Sequence, residues 1–228
     1  MILEFPKEIK NKIKFLSGSS KFSYENFESF NDNVINFLSD LSKQIFRNKK
    51  LTIYPDLISF AFWCRKRAIY EEKIKSKKRN SFGRGLTFHI APSNVALNFL
   101  YSFSFSLLAG NSNIVRLPTK NFKEIDVFFN ILKKLDKKKY HKIFATNIFI
   151  RYEQSDLVNS YFSSISDTRM IWGGNDTISK FKEYKTNPFC LDLTFPDRYS
   201  LSIINSSKLS KLNKIEKNKL IKNFFNDT

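Results

Sequence analysis

Apolar positions along this chain switch between a helical period and a strand period, and the switches mark its elements. Residues 1–25 read as an irregular or edge segment, with Gly18-Ser19-Ser20 as a turn. Phe27, Phe30, Val34, Phe37, Leu38, Leu41 and Ile45 keep helical spacing and predict one amphipathic helix over 26–47. Pro55 stands where a first-turn proline belongs, and Leu57, Ile58, Ala61, Phe62, Arg65 and Ile69 predict a second helix after it. Residues 73–79 are a solvated basic run, the helix end and a linker into Gly83.

From Leu86 the pattern changes. Leu86 to Ala91 is apolar and partly β-branched, the signature of a buried strand, and Pro92 with Ser93 breaks it. Ser93 or Asn94 is expected to cap a mostly apolar helix over 95–109, because their side-chain oxygens can accept from the first free N–H groups. Gly110-Asn111 stops that helix, since glycine adopts positive φ at little cost. A strand at 114–117 follows and ends at Pro118; then come a helix over 122–135, a strand over 147–152, a helix over 156–165 and a strand over 168–172 that closes on Gly173-Gly174. A helix over 177–184, capped by Asn175 or Asp176, leads to short strands at 191–195 and 199–204 and to a last amphipathic helix over 208–225.

The alternation from 85 to 204 predicts an α/β fold, a mostly parallel Rossmann-type sheet with helices on both faces, preceded by N-terminal helices. Ligands of such sheets lie at the carboxyl ends of the strands, where the loops 91–95 and 172–176 both fall. The expected organisation is a helical segment over 1–82 packing on a dinucleotide-binding domain over 83–228. There is no internal repeat.

With 228 residues, 42% of them hydrophobic, the chain can bury a full core, which excludes a disordered protein. The longest apolar run, around 95–109, is broken by serines and too short to span a bilayer, and no basic-then-apolar leader opens the sequence. Two cysteines, Cys64 and Cys190, neither make a metal cluster nor demand a disulfide, so a cytoplasmic setting is expected. The net charge of +18 raises the question of nucleic acid. Lysine is spread along the whole chain, and no arginine-rich arm, zinc-finger spacing or ribonucleoprotein aromatic motif accompanies it, so anionic small ligands suit the charge better.

Several residues carry candidate chemistry. Asn94, over a helix N-terminus, can donate to an oxyanion as a carbonyl is attacked, or serve only as a cap. Gly173-Gly174 follows a strand and opens a helix, so its backbone can approach a phosphate, although a double glycine serves a turn equally well. Gly83-Arg84-Gly85 precedes a strand and reads as a turn. His89 fits a satisfied core histidine, His141 a surface one, Cys64 a buried structural thiol, and Asp197-Arg198 a local ion pair shaping a turn.

The segments Gly83–Val95, Leu107–Lys120, Ile171–Ile178 and Leu193–Ser200 together resemble the acyl-CoA reductase family that includes the bacterial luminescence fatty-acid reductase, a branch of the aldehyde dehydrogenase superfamily. The resemblance implies reduction of an acyl thioester, carried by coenzyme A or by a protein, to a fatty aldehyde with NADPH. It implies cofactor contacts at Gly173, Gly174 and Thr177, and a ribose grip at Arg116, Thr119 and Lys120. Lys120 stands where NAD-preferring relatives carry an acid, and a cation there favours a 2′-phosphate. Asp192, in a Leu-Asp-Leu context, falls near the superfamily's general base, a role that a reductase ending at the aldehyde does not need. The family's acyl-accepting cysteine comes shortly after a segment resembling Phe224–Thr228, and neither Cys64 nor Cys190 lies in that context. The expectation is therefore a cofactor-binding portion without the catalytic cysteine, with a second polypeptide supplying that domain and an oligomer as the intact form. A binding or assembly module without chemistry is the alternative, and a basic nucleic-acid binder a more distant one.

Overall fold

The computed structural model describes residues 2–76, 81–196 and 201–227, and side chains as far as 224. The chain divides into two compact units, Met1–Asp197 and Arg198–Thr228. In the first, the elements in order are β1 (Ile2–Glu4), α1 (Lys7–Lys10), β2 (Lys14–Ser17), β3 (Lys21–Ser23), α2 (Asp32–Arg47), a 3-10 turn (Lys49–Ile53), α3 (Pro55–Trp63), α4 (Lys66–Lys75), β4 (Leu86–Ile90), α5 (Asn98–Leu108), β5 (Ser112–Arg116), α6 (Lys123–Leu132), α7 (His141–Ala145), β6 (Asn147–Arg151), α8 (Asp156–Ile165), β7 (Thr168–Trp172), α9 (Asn175–Glu183) and β8 (Leu191–Phe195). The second holds α10 (Ser206–Lys211) and α11 (Lys214–Asp227).

The sheet order is β2-β6-β5-β4-β7-β8, with every pair from β6 to β8 parallel and β2 antiparallel on the β6 edge. From β4 the chain winds outward through β5 to β6. It then crosses back and winds the other way through β7 to β8, so the direction of winding reverses between β4 and β7. The side chains alternate accordingly. Leu86, Phe88 and Ile90 face the cluster that holds Val158 and Phe162 of α8 and Ile178 and Phe181 of α9. Val115 and Phe149 face the opposite cluster, filled by α2, α3, α5 and α6. Burying one such aromatic or aliphatic side chain stabilises the fold by about 2 kcal/mol.

The junction ahead of β4 explains three glycines. The Phe27 N–H donates to the Gly110 carbonyl (2.8 Å) and the Gly83 N–H to the Phe27 carbonyl (3.0 Å), so three backbone segments touch where a side chain would intrude. Gly110 sits at φ +92°, as the stop after α5 requires. Gly85, at φ +139°, leaves room for the Asp167 carboxylate. That carboxylate accepts from the Tyr24 hydroxyl, from the Leu86 N–H (2.8 Å) and from the Asn187 amide (3.0 Å).

Five expectations are corrected. Residues 14–17 are not irregular but form the antiparallel edge strand β2. The helix expected over 26–47 begins at Asp32, because Phe30 takes positive φ (56°) and Asn31 caps the helix through Asn33 N–H (2.9 Å). The second helix is two, α3 and α4, broken at Cys64-Arg65. Of the strand expected over 199–204, residues 201–204 are irregular, and 199–200 lie outside the described residues, as do Asp197-Arg198. The last helix is interrupted at Asn213, whose side chain accepts from Glu216 N–H (2.9 Å) while Glu216 accepts from Asn213 N–H (2.9 Å), a reciprocal cap that starts α11 afresh.

Candidate functional site

Ile90 lies in register with Arg116 on one side and Ile171 on the other, and Trp172 with Phe195. The carboxyl ends of β4, β5, β7 and β8 therefore form one edge. The loops after β4 and β7 leave it as neighbours, at the point where the winding reverses. Such a point leaves a crevice, because one loop turns toward a helix on the upper face and the next toward a helix on the lower face.

The β4 loop is longer than its sequence suggests. Pro92 and Leu97 are buried, Ser93, Asn94 and Val95 are exposed between them, and α5 starts only at Asn98 behind Leu97 with no side-chain cap. Neither Ser93 nor Asn94 is the cap. Apolar anchors at both ends of 92–97 hold the segment out as a loop, which leaves the Asn94 amide exposed at the edge.

Gly174, not Asn175 or Asp176, precedes α9, and no side chain accepts from the helix's first N–H groups. The positive end of α9 is thus open, with the Asp176 carboxylate in its first turn as the one acid there. Gly174 has φ −60° and ψ 166°, and Gly173 is not among the positive-φ glycines, so neither is present for an unusual turn. At Gly173 a methyl would press on the Thr177 side chain, 2.9 Å away. What the pair offers is close approach of backbone.

Arg116 closes β5. Its guanidinium lies over the Tyr152 ring, 4.6 Å from the centroid, and its Nε is buried with no hydrogen-bond partner among the described residues. Burial pushes the Tyr152 phenol far up, against the opposing pull of Arg116, so the ring stays neutral beneath the cation. Thr119 and Lys120 are exposed in the next loop, with the Lys120 ammonium 5.1 Å from the Phe122 ring centroid. Trp172 stacks on Phe195 (4.1 Å, 7°) at the ends of β7 and β8, its indole N–H buried without a partner among the described residues.

The structure does not bring Asp192 to this edge. In register it pairs with Arg169, three positions before the strands end. Both its oxygens are engaged by Arg169, from Nε at 2.7 Å and Nη2 at 2.6 Å. Arg169 is 2% exposed and also donates to Ser163 Oγ (3.1 Å) and the Phe181 carbonyl (2.7 Å). With both oxygens taken by a buried bidentate partner, the carboxylate's task is to neutralise the guanidinium. Asp192→Asn is expected to lower stability by about 2 kcal/mol, read by chemical denaturation, and to leave nucleotide affinity unchanged. Removing one partner of a buried pair costs more than that where water has no access, and Asp192 keeps some.

Neither Arg169 nor Asp167 stands out in the sequence: each is one charged residue in a β-α alternation, and only the register shows its partners. Cys64 is fully buried and burial pushes its thiol well up, as expected of a structural cysteine. Cys190 precedes β8, at the opposite edge from the crevice, and its thiol is also raised by burial. His89 is buried, its Nε2 donating to Asn113 Oδ1 (2.8 Å). His141 is exposed.

Among the described residues no helix is long and apolar enough to cross a membrane. A model of the acyl-CoA reductase (LuxC) family matches residues 32–223. Among solved structures, the NADP complex of the NADP-dependent glyceraldehyde-3-phosphate dehydrogenase from Bacillus halodurans C-125 aligns at 13% identity and a TM-score of 0.42. The alignment covers 70% of this chain and 37% of that one. No curated protein matches the chain.

Proposed function

Since the chain belongs to the acyl-CoA reductase family, we propose that it is the nucleotide-binding part of an NADPH-dependent reductase that turns a long-chain acyl thioester into a fatty aldehyde. One observation carries this reading: two adjacent parallel strands, β4 and β7, send loops from the same edge to helices on opposite faces, and the helix behind one of them has an open positive end. The residues present fit a phosphorylated dinucleotide. Gly173 and Gly174 admit its pyrophosphate to the first turn of α9, with Thr177 beside them. Arg116, whose Nε has no partner among the described residues, and Lys120, in the loop beyond, meet the ribose and its 2′-phosphate, and Thr119 borders them.

Bound NADPH supplies a hydride. The chain's own contribution is to orient it and, through the exposed Asn94 amide, to donate to the carbonyl oxygen as negative charge gathers there, a contact of the kind worth about 3 kcal/mol. The acyl-accepting thiol comes from elsewhere in the working enzyme, because Cys64 is enclosed in the core and Cys190 lies at the wrong edge. Residues 1–228 alone therefore bind nucleotide without turnover. The thioester donor and the polypeptide bearing the thiol are the expected partners, in an oligomeric cytoplasmic enzyme.

Lys120→Glu tests the cofactor assignment. An acid at that position suits a free ribose hydroxyl and repels a 2′-phosphate, so the ratio of NADPH to NADH affinity is expected to fall by roughly tenfold or more. An unchanged ratio removes Lys120 from the site.

A further inference from the structure

The charge of the chain is less evenly spread in space than along the sequence. The last turns of α2 and the segment after α6 meet on one surface and enclose a cleft of about 340 Å³ lined by Asp40, Lys43, Gln44, Arg47, Lys134, Asp136, Lys139 and Tyr140. Asp40 joins the two walls: it accepts from Lys43 (3.0 Å) on its own helix and from Lys139 (2.8 Å) and the Tyr140 hydroxyl (2.5 Å) across the cleft. The Tyr140 ring rests edge-on against Phe37, 5.4 Å between centroids, and fixes the crossing segment. Asp136, which is exposed, accepts through one oxygen from the N–H groups of Lys138 (2.9 Å) and Lys139 (3.1 Å).

Asp40 is thus paired with two of the cleft's four cations, Lys43 and Lys139, while Asp136 is held by main-chain N–H groups. Arg47 and Lys134 have no acidic partner among the described residues. Further cations, Lys133, Lys137 and Lys138, are exposed on the segment that forms one wall.

We propose that this cleft binds a small anion bearing a diphosphate, with the Arg47 guanidinium and the Lys134 ammonium as its principal donors. Three features select that chemistry. The cleft is of ligand-pocket size rather than an extended track. A guanidinium matches two phosphate oxygens at once, and an ammonium serves as a point charge beside it. No aromatic face is free within the cleft to stack a base, since Tyr140 is spent on Asp40 and Phe37.

The site is separate from the nucleotide edge. The segment after α6 leads, through α7, to the beginning of β6, so it lies where the parallel strands start, whereas the crevice lies where they end. The proposal does not depend on the reductase reading.

The experiment is calorimetric titration of the full chain with inorganic pyrophosphate at low ionic strength. It compares the wild type, the double variant Arg47→Gln/Lys134→Gln, the control Lys208→Gln/Lys211→Gln with the same change in charge, and Gly174→Asp at the nucleotide edge. The expected result is a saturable site that weakens roughly tenfold or more in the Arg47/Lys134 variant, stays within about twofold of wild type in the lysine control and persists in Gly174→Asp, which removes only whatever pyrophosphate binds at the nucleotide edge. All the substituted side chains but Gly174 are exposed or belong to no core, and matched thermal unfolding confirms that folding is intact. No saturable binding overturns the proposal. So do equal losses in the lysine control, which reveal general charge attraction, and loss in Gly174→Asp, which moves the ion to the nucleotide edge. Duplex DNA binding that outcompetes pyrophosphate and weakens in the same double variant also overturns it, in favour of nucleic acid.

Discussion

Gly110→Ala is expected to destabilise the chain by about 4 kcal/mol, the sum of roughly 1–2 kcal/mol for placing an alanine at positive φ and the remainder for displacing packed backbone. The residue sits at φ +92°, and a methyl there runs into the Phe27 carbonyl, which is held in place by the Gly83 N–H at 3.0 Å. No side chain can rotate away to relieve this, because the obstacle is main chain. In a chain of this size the loss amounts to roughly a 12 °C drop in melting temperature, read by calorimetry. Glycine 174 provides the contrast. With φ −60° it has no such constraint, so its substitution is expected to change binding without changing folding.

The second large effect is with pH. His89 is enclosed between β4 and the helices above it, and burial brings its imidazole down from 6.5 to about 4, against the small opposing effect of the Asn113 contact. The folded state therefore resists protonation while the unfolded chain accepts it. A depressed folded pKa means that the stabilisation is complete above pH 6.5, declines as pH falls and is lost below about pH 4. A shift of this size corresponds to about 3 kcal/mol in full, of which about 2 kcal/mol is gone by pH 5. His89→Gln keeps a donor for Asn113 and removes the titration. Denaturation midpoints of the two proteins should converge as pH falls from 7 to 5; parallel profiles would mean that His89 titrates like an exposed imidazole.

Much of the frame was visible in the chain itself. The helix over 156–165 and the strands over 168–172 and 191–195 fall where their periodicity placed them, because each is bounded by residues that cannot continue it. The stop at Gly110 was equally plain, and the positive φ is its cause. The errors share a different origin. Phe27 and Phe30 are in helical phase with α2 but are recruited by backbone pairing, Phe27 to Gly83 and Gly110 and Phe30 to Leu108, and no local pattern announces a partner more than fifty positions away. The strand β2 is four residues long and gains its place only by pairing with β6. In the β4 loop, Ser93 and Asn94 have cap chemistry, yet buried Pro92 and Leu97 decide where the helix begins.

The candidate site divides in the same way. Gly173-Gly174, Arg116 and Lys120 could be singled out because a strand ends beside each. The roles of Arg169 with Asp192, and of Asp40 with Lys139 and Tyr140, depend on registers and crossings between remote segments. Asp192 shows the risk of carrying a function over by position: its neighbours in sequence suit a general base, while its neighbour in space is a buried guanidinium.

The reductase reading requires a dinucleotide to lie over the loops after β4 and β7, with its pyrophosphate on the open first turn of α9. The direct test is titration of the Trp63→Phe protein with NADPH, following Trp172, which adjoins Gly173, alone and with Gly174→Asp added. Aspartate is a good helix cap, so α9 should be at least as stable with it, while its carboxylate fills the cradle and repels phosphate. We predict saturable quenching by NADPH that weakens roughly tenfold or more in the Gly174→Asp protein with no loss of melting temperature. A Trp172 signal indifferent to NADPH, or the same affinity with and without the aspartate, would contradict a nucleotide site at this edge.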